Sequence, residues 1–284
     1  MIRLGLTGYP LEHSLSPILH TAALRACDLQ GVYSLYPVEP DDMKSLKALL
    51  DQVRSGELTG LNVTIPHKQN VIQFLNGLTP TAQSMGAVNT IYLKDEKLMG
   101  ENTDAPGFLA DLNSFLLENI ALLEKMDGIR EKSALILGAG GSARAVAYAL
   151  AEAGWTITIA ARRIEQAHRF ANPQMQVTQY DSLHIANLLP SFHLIVNATP
   201  VGMFPKTDVS PWMDGLAFPK GAIVYDLIYN PRETLFVQQA RAAGLPARTG
   251  AGMLVEQAAL AFQLWTGQDI PRSIMFDAFN GTGH

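Results

Sequence analysis

The segment at 134–150 restricts the possible folds of this chain more than any other. It reads Ala-Leu-Ile-Leu-Gly-Ala-Gly-Gly-Ser-Ala-Arg-Ala-Val-Ala-Tyr-Ala-Leu, an apolar run that opens into a Gly-rich turn before a helical stretch. Gly138 permits the tight turn, Gly140 lets a ligand approach the backbone, and Ala143 is small enough for helix and strand to pack closely. The start of the helix offers unpaired N–H groups and a positive dipole end, so we expect an anion site here.

A strand, a Gly-rich turn and a helix in this order are the pattern that binds the pyrophosphate of a dinucleotide. Similar turns also occur for purely structural reasons, but the predicted elements on both sides give the context that a functional site needs. The residues that we expect to contact the cofactor in this segment are Gly138, Ala139, Gly140, Gly141, Ser142 and Ala143.

The next predicted strand, 155–161, is followed directly by two arginines. An NAD-binding domain usually has an acidic residue at this position, which accepts a hydrogen bond from the ribose 2′-hydroxyl. Here the chain continues with Arg162 and Arg163, and Arg169 follows in the next predicted helix. Guanidinium groups suit a 2′-phosphate, which a carboxylate would repel, so this pattern favours NADP. The alternative is that both arginines are solvated at the start of a helix.

Strands and helices alternate along the rest of the chain, which is typical of an α/β protein with mostly parallel sheets. Before the Gly-rich turn we predict strands at 2–7, 32–38 and 61–64, and a hairpin from 87–93 and 98–100. The helices predicted there are 17–28, 41–55, one from about residue 68, and 106–117, followed by an amphipathic connector at 118–132. After the second strand, further strands are predicted at 192–198 and 222–227, and helices at 233–243 and 253–265.

The predicted helix at 253–265 is too apolar for a surface position, so another part of the protein has to cover it. We expect it to return to the first domain and make that domain discontinuous. The prediction is a two-domain α/β protein. A smaller catalytic domain at 1–105, completed by 250–284, has a mostly parallel sheet, and a Rossmann-type domain occupies 106–249. The cleft between them is the expected active site, because cofactor sites favour domain interfaces.

Composition excludes several functional classes. The chain has 284 residues, of which 48% are hydrophobic, and a net charge of −5, which argues against a nucleic-acid-binding protein. Cys27 is the single cysteine, so neither a disulfide framework nor a cysteine metal site is expected, and a reducing cytoplasm is the expected compartment. The N-terminus goes directly into a strand-like run without a signal-peptide pattern, and no stretch has the length of a membrane span.

Polar residues in the first domain cluster near the ends of predicted strands. Ser14 and Ser16 are spaced so that both hydroxyls can reach one side of an extended stretch, which suits a carboxylate or a polyol. With Pro17 in the first turn of the next helix, Ser16 is equally a candidate N-cap. Lys68 follows a strand that alternates polar and apolar residues, and we place it at the start of a helix. A solvated surface lysine is the alternative there.

Two further clusters contain Asn89 and Asp104. Asn89 supplies hydrogen-bond donors and an acceptor for substrate hydroxyls. Asp104 precedes a predicted helix, so an N-cap role competes with a catalytic one. In the catalytic interpretation, Asp104 pairs with Lys68, holds its ammonium group and joins a proton relay. The histidines have no spacing typical of a metal site, so we expect no metal.

Together these motifs resemble the shikimate dehydrogenase family, in the family's order and over nearly the whole chain. The motifs are Ser-Leu-Ser-Pro at 14–17, Asn-Val-Thr-Ile-Pro-His-Lys at 62–68, Ala-Val-Asn-Thr at 87–90, Asn-Thr-Asp at 102–104, the turn at 138–143, Asn-Ala-Thr-Pro-Val-Gly-Met at 197–203, Asp-Leu-Ile-Tyr-Asn-Pro at 226–231 and Gly-Met-Leu-Val-Glu-Gln at 252–257. So many motifs in one order make a chance match very improbable.

The resemblance implies reversible, NADPH-dependent reduction of 3-dehydroshikimate to shikimate, a step towards chorismate and the aromatic amino acids. By the resemblance, Lys68 and Asp104 form the catalytic pair. The residues that would bind the substrate are Ser14, Ser16, Thr64, Lys68, Asn89, Asp104, Tyr229 and Gln257. The cofactor-binding residues beyond the Gly-rich segment would be Arg162, Arg163, Thr199, Met203 and Gly252.

One position departs from the family pattern. Members that use NADP commonly have Asn-Arg-Thr where this chain has Ala161-Arg162-Arg163, so Arg163 either replaces the missing contacts, stacks on adenine or points into solvent. We expect a monomer or homodimer with a small-molecule substrate. The alternative functions are a quinate/shikimate dehydrogenase that uses NAD, which the arginines disfavour, and a dinucleotide-binding regulator without catalysis, which would not need Lys68 and Asp104 together.

Overall fold

The computed structural model describes residues 1–119, 132–189 and 192–282, so most of the predicted connector at 118–132 lies outside the described residues. The chain divides into two compact units. Unit 1 consists of Met1–Gly107 and Val255–Gly283, and unit 2 of Phe108–Leu254. Both crossings between the units fall inside helices. In the part of the chain that the structure describes, no helix combines the length and hydropathy that crossing a membrane requires.

Unit 1 is built around a mixed sheet. The strands of this unit are β1 (Ile2–Gly8), β2 (Gly31–Pro37), β3 (Gly60–Val63), β4 (Gly77–Leu78), β5 (Thr90–Lys94) and β6 (Lys97–Glu101). Its helices are α1 (Ser16–Ala26), α2 (Met43–Arg54), α3 (Pro80–Met85), the start of α4 (Asp104–Glu118), most of α9 (Ala251–Thr266), and α10 (Arg272–Asn280). Within the described residues the strand order is β2-β1-β3-β5-β6-β4.

Three of the five pairings in this sheet are parallel and two are antiparallel, so the sheet is mixed, with parallel pairings in the majority. β1 pairs in parallel with β2 and β3, and β4 with β6, whereas β5 is antiparallel to both β3 and β6. The predicted hairpin of β5 and β6 is the cause. Its turn residues Asp95 and Glu96 both have positive φ, which a two-residue hairpin turn requires. The α/β class itself is confirmed.

Helix α2 covers one face of this sheet. Asp42 caps the helix by accepting a hydrogen bond from the backbone N–H of Ser45. Its buried side chains are Leu46, Leu49, Leu50 and Val53, spaced by three or four residues along one face. They join the core beneath β3, β5 and β6, so burial of this apolar face is what holds the helix in place.

The apolar C-terminal helix α9 packs into unit 1 from Val255 onward. Val255, Phe262 and Trp265 are buried, and Trp265 donates an indole hydrogen bond of 2.9 Å to the carbonyl oxygen of Ile91 in β5. Gly60 of β3 lies so close that a β-carbon would come within 2.1 Å of the Trp265 ring. This packing accounts for a helix that is apolar nearly all round.

Two local predictions in unit 1 are wrong. No α-helix begins at Lys68, because residues 65–69 form turns and lead into a short 3-10 helix at Asn70–Phe74. The segment 14–16 is not extended, because Leu15 has φ −89° and ψ −5° and is itself the N-cap of α1. Ser16 is therefore the first helical residue rather than the cap. Its backbone N–H donates to Ser14 Oγ at 3.3 Å.

Unit 2 has an entirely parallel sheet. Its strands are β7 (Ser133–Leu137), β8 (Thr156–Ala161), β9 (Met175–Gln179), β10 (Leu194–Asn197), β11 (Ile223–Asp226) and β12 (Ala247–Thr249). Its helices are the rest of α4, α5 (Gly141–Glu152), α6 (Ile164–His168), α7 (Ser182–Leu188), α8 (Leu235–Ala242) and the start of α9. Among the described residues the order is β12-β11-β10-β7-β8-β9.

This order is the Rossmann order, with the sequence reversing direction between β7 and β10. Strand β7 shows why the segment at 134–137 is continuously apolar, since its side chains are fully buried. Helix α5 begins at Gly141, within the Gly-rich segment. Ligands of such sheets bind at the carboxyl ends of the strands, next to this reversal, which is where the Gly-rich turn lies.

Candidate active site

Lys68 and Asp104 are in direct contact in unit 1. Lys68 Nζ lies 2.5 Å from Asp104 Oδ2, and the side chains are 25% and 15% exposed. Lys68 lies in the turn after β3, and Asp104 is the first residue of α4. A carboxylate in the first turn of a helix is favoured by the helix dipole. The pair is therefore a partly exposed ammonium group held by a carboxylate.

Asn89 fixes the orientation of the Asp104 carboxylate. Its side-chain amide donates to Asp104 Oδ1 and to Thr103 Oγ1, both at 2.9 Å. Its amide oxygen accepts from the backbone N–H of Thr103 at 2.8 Å. Because Asn89 is only 3% exposed and its amide is occupied in this way, its visible role is to hold Asp104. The backbone N–H of Asp104 also donates to Asn102 Oδ1 at 3.0 Å.

A buried chain of hydrogen bonds leads from Tyr33 to Asp104, with each donor directed towards the carboxylate. Tyr33 donates to Asn62 Oδ1 at 2.7 Å, and Asn62 Nδ2 donates to Thr90 Oγ1 at 3.2 Å. Thr90 donates to Asn89 Oδ1 at 3.0 Å, and Asn89 donates to Asp104. Donors aligned in one direction polarise one another, and each fixes which way the next amide faces. We name these five residues the donor chain.

Sequence reasoning did not find the first members of the donor chain. Asn62 and Thr90 fall within motifs that we singled out, but nothing in the sequence joins them to Tyr33 on β2. One feature pointed to a partner: Asn62 is a polar residue on β3, and all four residues of this strand are buried. A buried amide needs partners, so it predicts a polar neighbour without naming it.

His20 lies beneath Tyr33 in the same core. Their rings are stacked with centroids 4.5 Å apart and planes within 1° of parallel, and Trp265 packs against the imidazole at 5.3 Å. Among the described residues, neither ring nitrogen of His20 has a hydrogen-bond partner. Burial lowers the pKa of His20 from 6.5 to about 3, so the imidazole is neutral at neutral pH.

The other predicted substrate residues lie in several places. Ser14 and Ser16 are joined by the hydrogen bond between Ser14 Oγ and the backbone N–H of Ser16, and both are partly exposed. Thr64 is in the loop after β3, where its backbone N–H donates to the carbonyl of Thr7. Gln257 is a partly exposed residue of α9 in unit 1. Direct contacts thus unite Lys68, Asn89 and Asp104, and separately the two serines.

Tyr229 belongs to unit 2, in the loop after β11. Burial raises the pKa of its phenol above the ordinary value of 10.0. It is therefore a neutral hydroxyl at neutral pH, able to donate and accept hydrogen bonds.

A cavity of about 360 Å³ lies at the carboxyl ends of β7, β8 and β10 in unit 2. The predicted cofactor residues that line it are Gly138, Ala139, Gly140, Arg162, Arg163 and Thr199. Gln166, Tyr180 and Ser210 also line it, and the sequence did not single them out, because they come from three separate segments. No acidic residue is among those of the described chain that line the cavity.

The local geometry fits a dinucleotide. Gly138 has φ +109°, and a β-carbon there would come within 2.9 Å of Thr199, so the turn requires glycine. Gly140 is the N-cap of α5, makes no side-chain cap, and has open space where a β-carbon would stand. The helix start therefore has no side-chain cap and has room beside its first residues, as an anion site needs. Arg162 and Arg163 add positive charge.

Several predicted cofactor residues are not among those lining the cavity: Gly141, Ser142, Ala143, Met203 and Gly252. Ala143 is fully buried, as close packing of the helix requires, and Met203 is 46% exposed in the loop after β10. A β-carbon on Gly252 would lie 1.9 Å from Asp111 Oδ1, so packing within unit 2 already accounts for that glycine. In the described residues no cluster of His, Cys, Asp and Glu could hold a metal ion.

Comparison with known proteins identifies the family. Residues 6–91 match the shikimate dehydrogenase substrate binding domain, 121–213 match shikimate / quinate 5-dehydrogenase, and 250–278 match the shikimate 5′-dehydrogenase C-terminal domain. A relative from Methanothermobacter thermautotrophicus, named shikimate dehydrogenase (NADP(+)), is 38% identical over 281 residues, covering 96% of this chain and 94% of its own.

Solved structures are similar over the full length. Shikimate 5-dehydrogenase from Thermus thermophilus, in complex with NADP(H) and shikimate, is 37% identical, with 99% of each chain covered and a TM-score of 0.83. Quinate dehydrogenase from Corynebacterium glutamicum, in complex with NAD, is 30% identical, with 99% of each chain covered and a TM-score of 0.85. The resemblance seen in the motifs is confirmed: this chain belongs to the shikimate dehydrogenase family.

Proposed function

We propose that this protein is an NADP-dependent oxidoreductase that interconverts 3-dehydroshikimate and shikimate in the pathway to chorismate and the aromatic amino acids. The observation that carries the proposal is the 2.5 Å contact of Lys68 Nζ with Asp104 Oδ2. Membership of the family supports it, and so does a cavity that fits a dinucleotide. Lys68 and Asp104 are the catalytic pair in this proposal.

Lys68 performs the proton chemistry. In the direction of reduction, bound NADPH would supply a hydride to the carbonyl carbon of the substrate. The Lys68 ammonium group stabilises the negative charge that develops on the carbonyl oxygen and gives that oxygen a proton, which leaves a hydroxyl. In the reverse direction the amine of Lys68 takes the hydroxyl proton. Because the side chain is partly exposed, it exchanges protons with solvent between turnovers.

Asp104 holds the ammonium group in the position that this step requires. Its carboxylate attracts Lys68, and Asn89 and the donor chain hold the carboxylate in turn. Catalysis by positioned acid–base groups of this kind contributes about 10²- to 10⁴-fold to the rate.

Hydroxyl and amide groups recognise the substrate. We propose that its carboxylate and hydroxyls are bound by Ser14, Ser16, Thr64, Asn89, Tyr229 and Gln257, together with Lys68 and Asp104. Such groups orient the ring so that the carbonyl faces both Lys68 and the cofactor. For Asn89 this role comes in addition to its bonds within the protein.

The cofactor preference follows from the charge at the end of β8. Arg162 and Arg163 line the cavity and offer forked donors suited to a 2′-phosphate. The Gly-rich segment at 138–143 would bind the pyrophosphate, and we keep Thr199, Met203 and Gly252 as proposed contacts. The packing of Gly252 against Asp111 makes it the weakest member of the set.

We also propose a separate role for each domain. The catalytic domain would comprise 1–105 and 250–284, and the cofactor domain 106–249. We further propose a cytoplasmic monomer or homodimer that binds neither nucleic acid nor membrane.

One assay tests the proposal. Initial rates are measured from nicotinamide absorbance with shikimate and quinate, each with NADP⁺ and NAD⁺. We expect the highest rate with shikimate and NADP⁺. Because a neighbouring structure is a quinate dehydrogenase with NAD, a preference for quinate with NAD⁺ would assign the alternative substrate and cofactor. If neither NADP⁺ nor NAD⁺ is reduced with either substrate, the alternative of a non-catalytic dinucleotide-binding regulator would be favoured.

A further inference from the structure

One wall of the cavity in unit 2 is held by a side chain that does not line it. Thr199, Pro200 and Val201 form this wall, just after β10. Asn197, the last residue of β10, is fully buried. Its amide oxygen accepts from Thr199 twice, from the backbone N–H at 3.0 Å and from Oγ1 at 2.7 Å.

The same wall is tied at its other end. Thr199 Oγ1 accepts from the backbone N–H of Val201 at 3.2 Å, and Asn197 Nδ2 donates to the carbonyl oxygen of Val201 at 3.3 Å. One side-chain amide therefore binds both ends of the wall: its oxygen accepts from Thr199, and its nitrogen donates to Val201. The wall keeps this conformation only while the amide of Asn197 faces in this direction.

Asp226 determines that direction. Asn197 Nδ2 donates to Asp226 Oδ1 at 2.9 Å, and the carboxylate is fully buried at the end of β11. Its remaining partners are the backbone N–H of Ile228 at 3.1 Å and Thr234 Oγ1 at 2.7 Å. Although burial raises the pKa of Asp226 to about 6, the group is ionised at neutral pH and accepts hydrogen bonds only. The nitrogen of Asn197 must then face Asp226, and its oxygen must face Thr199.

We propose that Asn197 and Asp226 are positioning residues for the cofactor, because the buried carboxylate orients the amide that holds the cavity wall at 199–201. This inference rests on the proposed NADP-dependent function and extends it to two residues that neither line the cavity nor belong to the predicted site. The alternative is that the two side chains only tie β10 to β11, in which case their alteration affects stability but not cofactor affinity.

Substitution of Asn197 by Asp distinguishes these roles. Repulsion between two adjacent buried carboxylates raises the pKa of one of them, so at low pH the pair keeps a proton, and Asp at 197 donates to Asp226 and still accepts from Thr199. At high pH the charges repel and the wall is released. We expect the Kd of NADP⁺, measured by isothermal titration calorimetry on the full chain, to rise about tenfold at pH 8, the loss expected for one or two hydrogen bonds. The rise at pH 6 is smaller.

Two further variants separate positioning from general damage. In N197D/D226N the amide at 226 donates to the carboxylate at 197, so we expect part of the affinity lost at pH 8 to return. Val237→Ala opens a cavity in the core of the same unit at a residue that does not line the cofactor cavity, and serves as the destabilised control with unchanged Kd. If N197D does not fold, Thr234→Val, which removes a donor to Asp226, should weaken NADP⁺ binding several-fold, while Thr234→Ser, which retains the hydroxyl, does not.

Different results of these binding measurements would overturn the positioning role of Asn197 and Asp226 and the proposed function. The positioning role is overturned if N197D binds NADP⁺ within twofold of the wild type at pH 8, if V237A loses as much affinity, or if the double variant binds no more tightly than N197D. With an unfolded N197D, equal Kd values for T234V and T234S overturn it. Failure of the wild type to bind NADP⁺ and to reduce it with shikimate would instead refute the proposed function.

Discussion

The hydroxyl of Tyr33 donates a buried hydrogen bond of 2.7 Å to Oδ1 of Asn62, although the two residues lie on different strands. This bond decides which way the Asn62 amide faces, and so which atom it presents to Thr90. Through Thr90 and Asn89 the orientation reaches Asp104. A phenol outside the proposed substrate set is thereby linked by hydrogen bonds to Asp104, the carboxylate that we propose as catalytic.

Replacement of Tyr33 by Phe should lower kcat more than it alters either KM. The variant keeps the ring stacked on His20 but leaves Asn62 Oδ1 without its donor, so the donor chain loses its fixed direction. We expect kcat for shikimate oxidation to fall about threefold to tenfold, in line with one lost buried hydrogen bond. Tyr36→Phe on the same strand is the matched control, since Tyr36 is outside the donor chain. Equal rates for the two variants would exclude a role for the Tyr33 hydroxyl.

His20 should make the fold sensitive to acid. Its pKa is about 3 in the folded protein and 6.5 in the unfolded chain, so the unfolded state binds the extra proton as pH falls below 6.5. The free energy of unfolding therefore decreases with falling pH, by about 1.4 kcal/mol per unit between these two values. At neutral pH and above, His20 is neutral in both the folded and the unfolded state, so it no longer lowers the free energy of unfolding.

Urea unfolding of the wild type and of His20→Phe, at pH 7.5 and pH 5, measures the effect. Phe retains an aromatic ring on Tyr33 but cannot titrate. We expect the wild type to lose about 2 kcal/mol more than the variant over this range. Identical pH dependence of the two proteins would mean that His20 is not buried as a neutral group.

The two arginines after β8 should select NADP over NAD. Loss of a hydrogen bond to a charged group costs about 1.5–3 kcal/mol, so R162A/R163A should raise the KM of NADP⁺ by at least about 10²-fold. The KM of NAD⁺, which has no 2′-phosphate, should change less than threefold. Arg169→Ala is the control, because Arg169 follows helix α6 and does not line the cavity. Equal increases for both cofactors would show that the arginines do not recognise the phosphate.

Local patterns predicted much of unit 2. The apolar run at 134–137, the glycines and the helical stretch after them predict a strand, a turn and a helix. Each of these elements depends mainly on residues that are neighbours in the sequence. Gly138 illustrates this, because its positive φ is a property of the turn itself. The sequence could not show that Asn197 faces Asp226, because that contact depends on two strands becoming neighbours.

Tertiary pairing explains the helix that does not form after Lys68. The chain has to reach β4, where Gly77 and Leu78 pair with β6, and Asn76 exchanges hydrogen bonds with the backbone of Leu98. The residues between Lys68 and this pairing form turns and the 3-10 helix at Asn70–Phe74. Periodicity over 68–75 carries no information about that partner. The contacts of Tyr33, Asn62 and Thr90 in the donor chain escaped prediction for the same reason.

Turnover of Lys68→Ala and Asp104→Ala tests the central claim most directly. The kcat for shikimate-dependent reduction of NADP⁺ is measured for each variant, with circular dichroism and the Kd of NADP⁺ as checks on folding and cofactor binding. We expect each kcat to fall at least about 10²-fold while both checks remain at wild-type values. Turnover within a few-fold of the wild type in both variants would contradict the assignment of these residues as the catalytic pair.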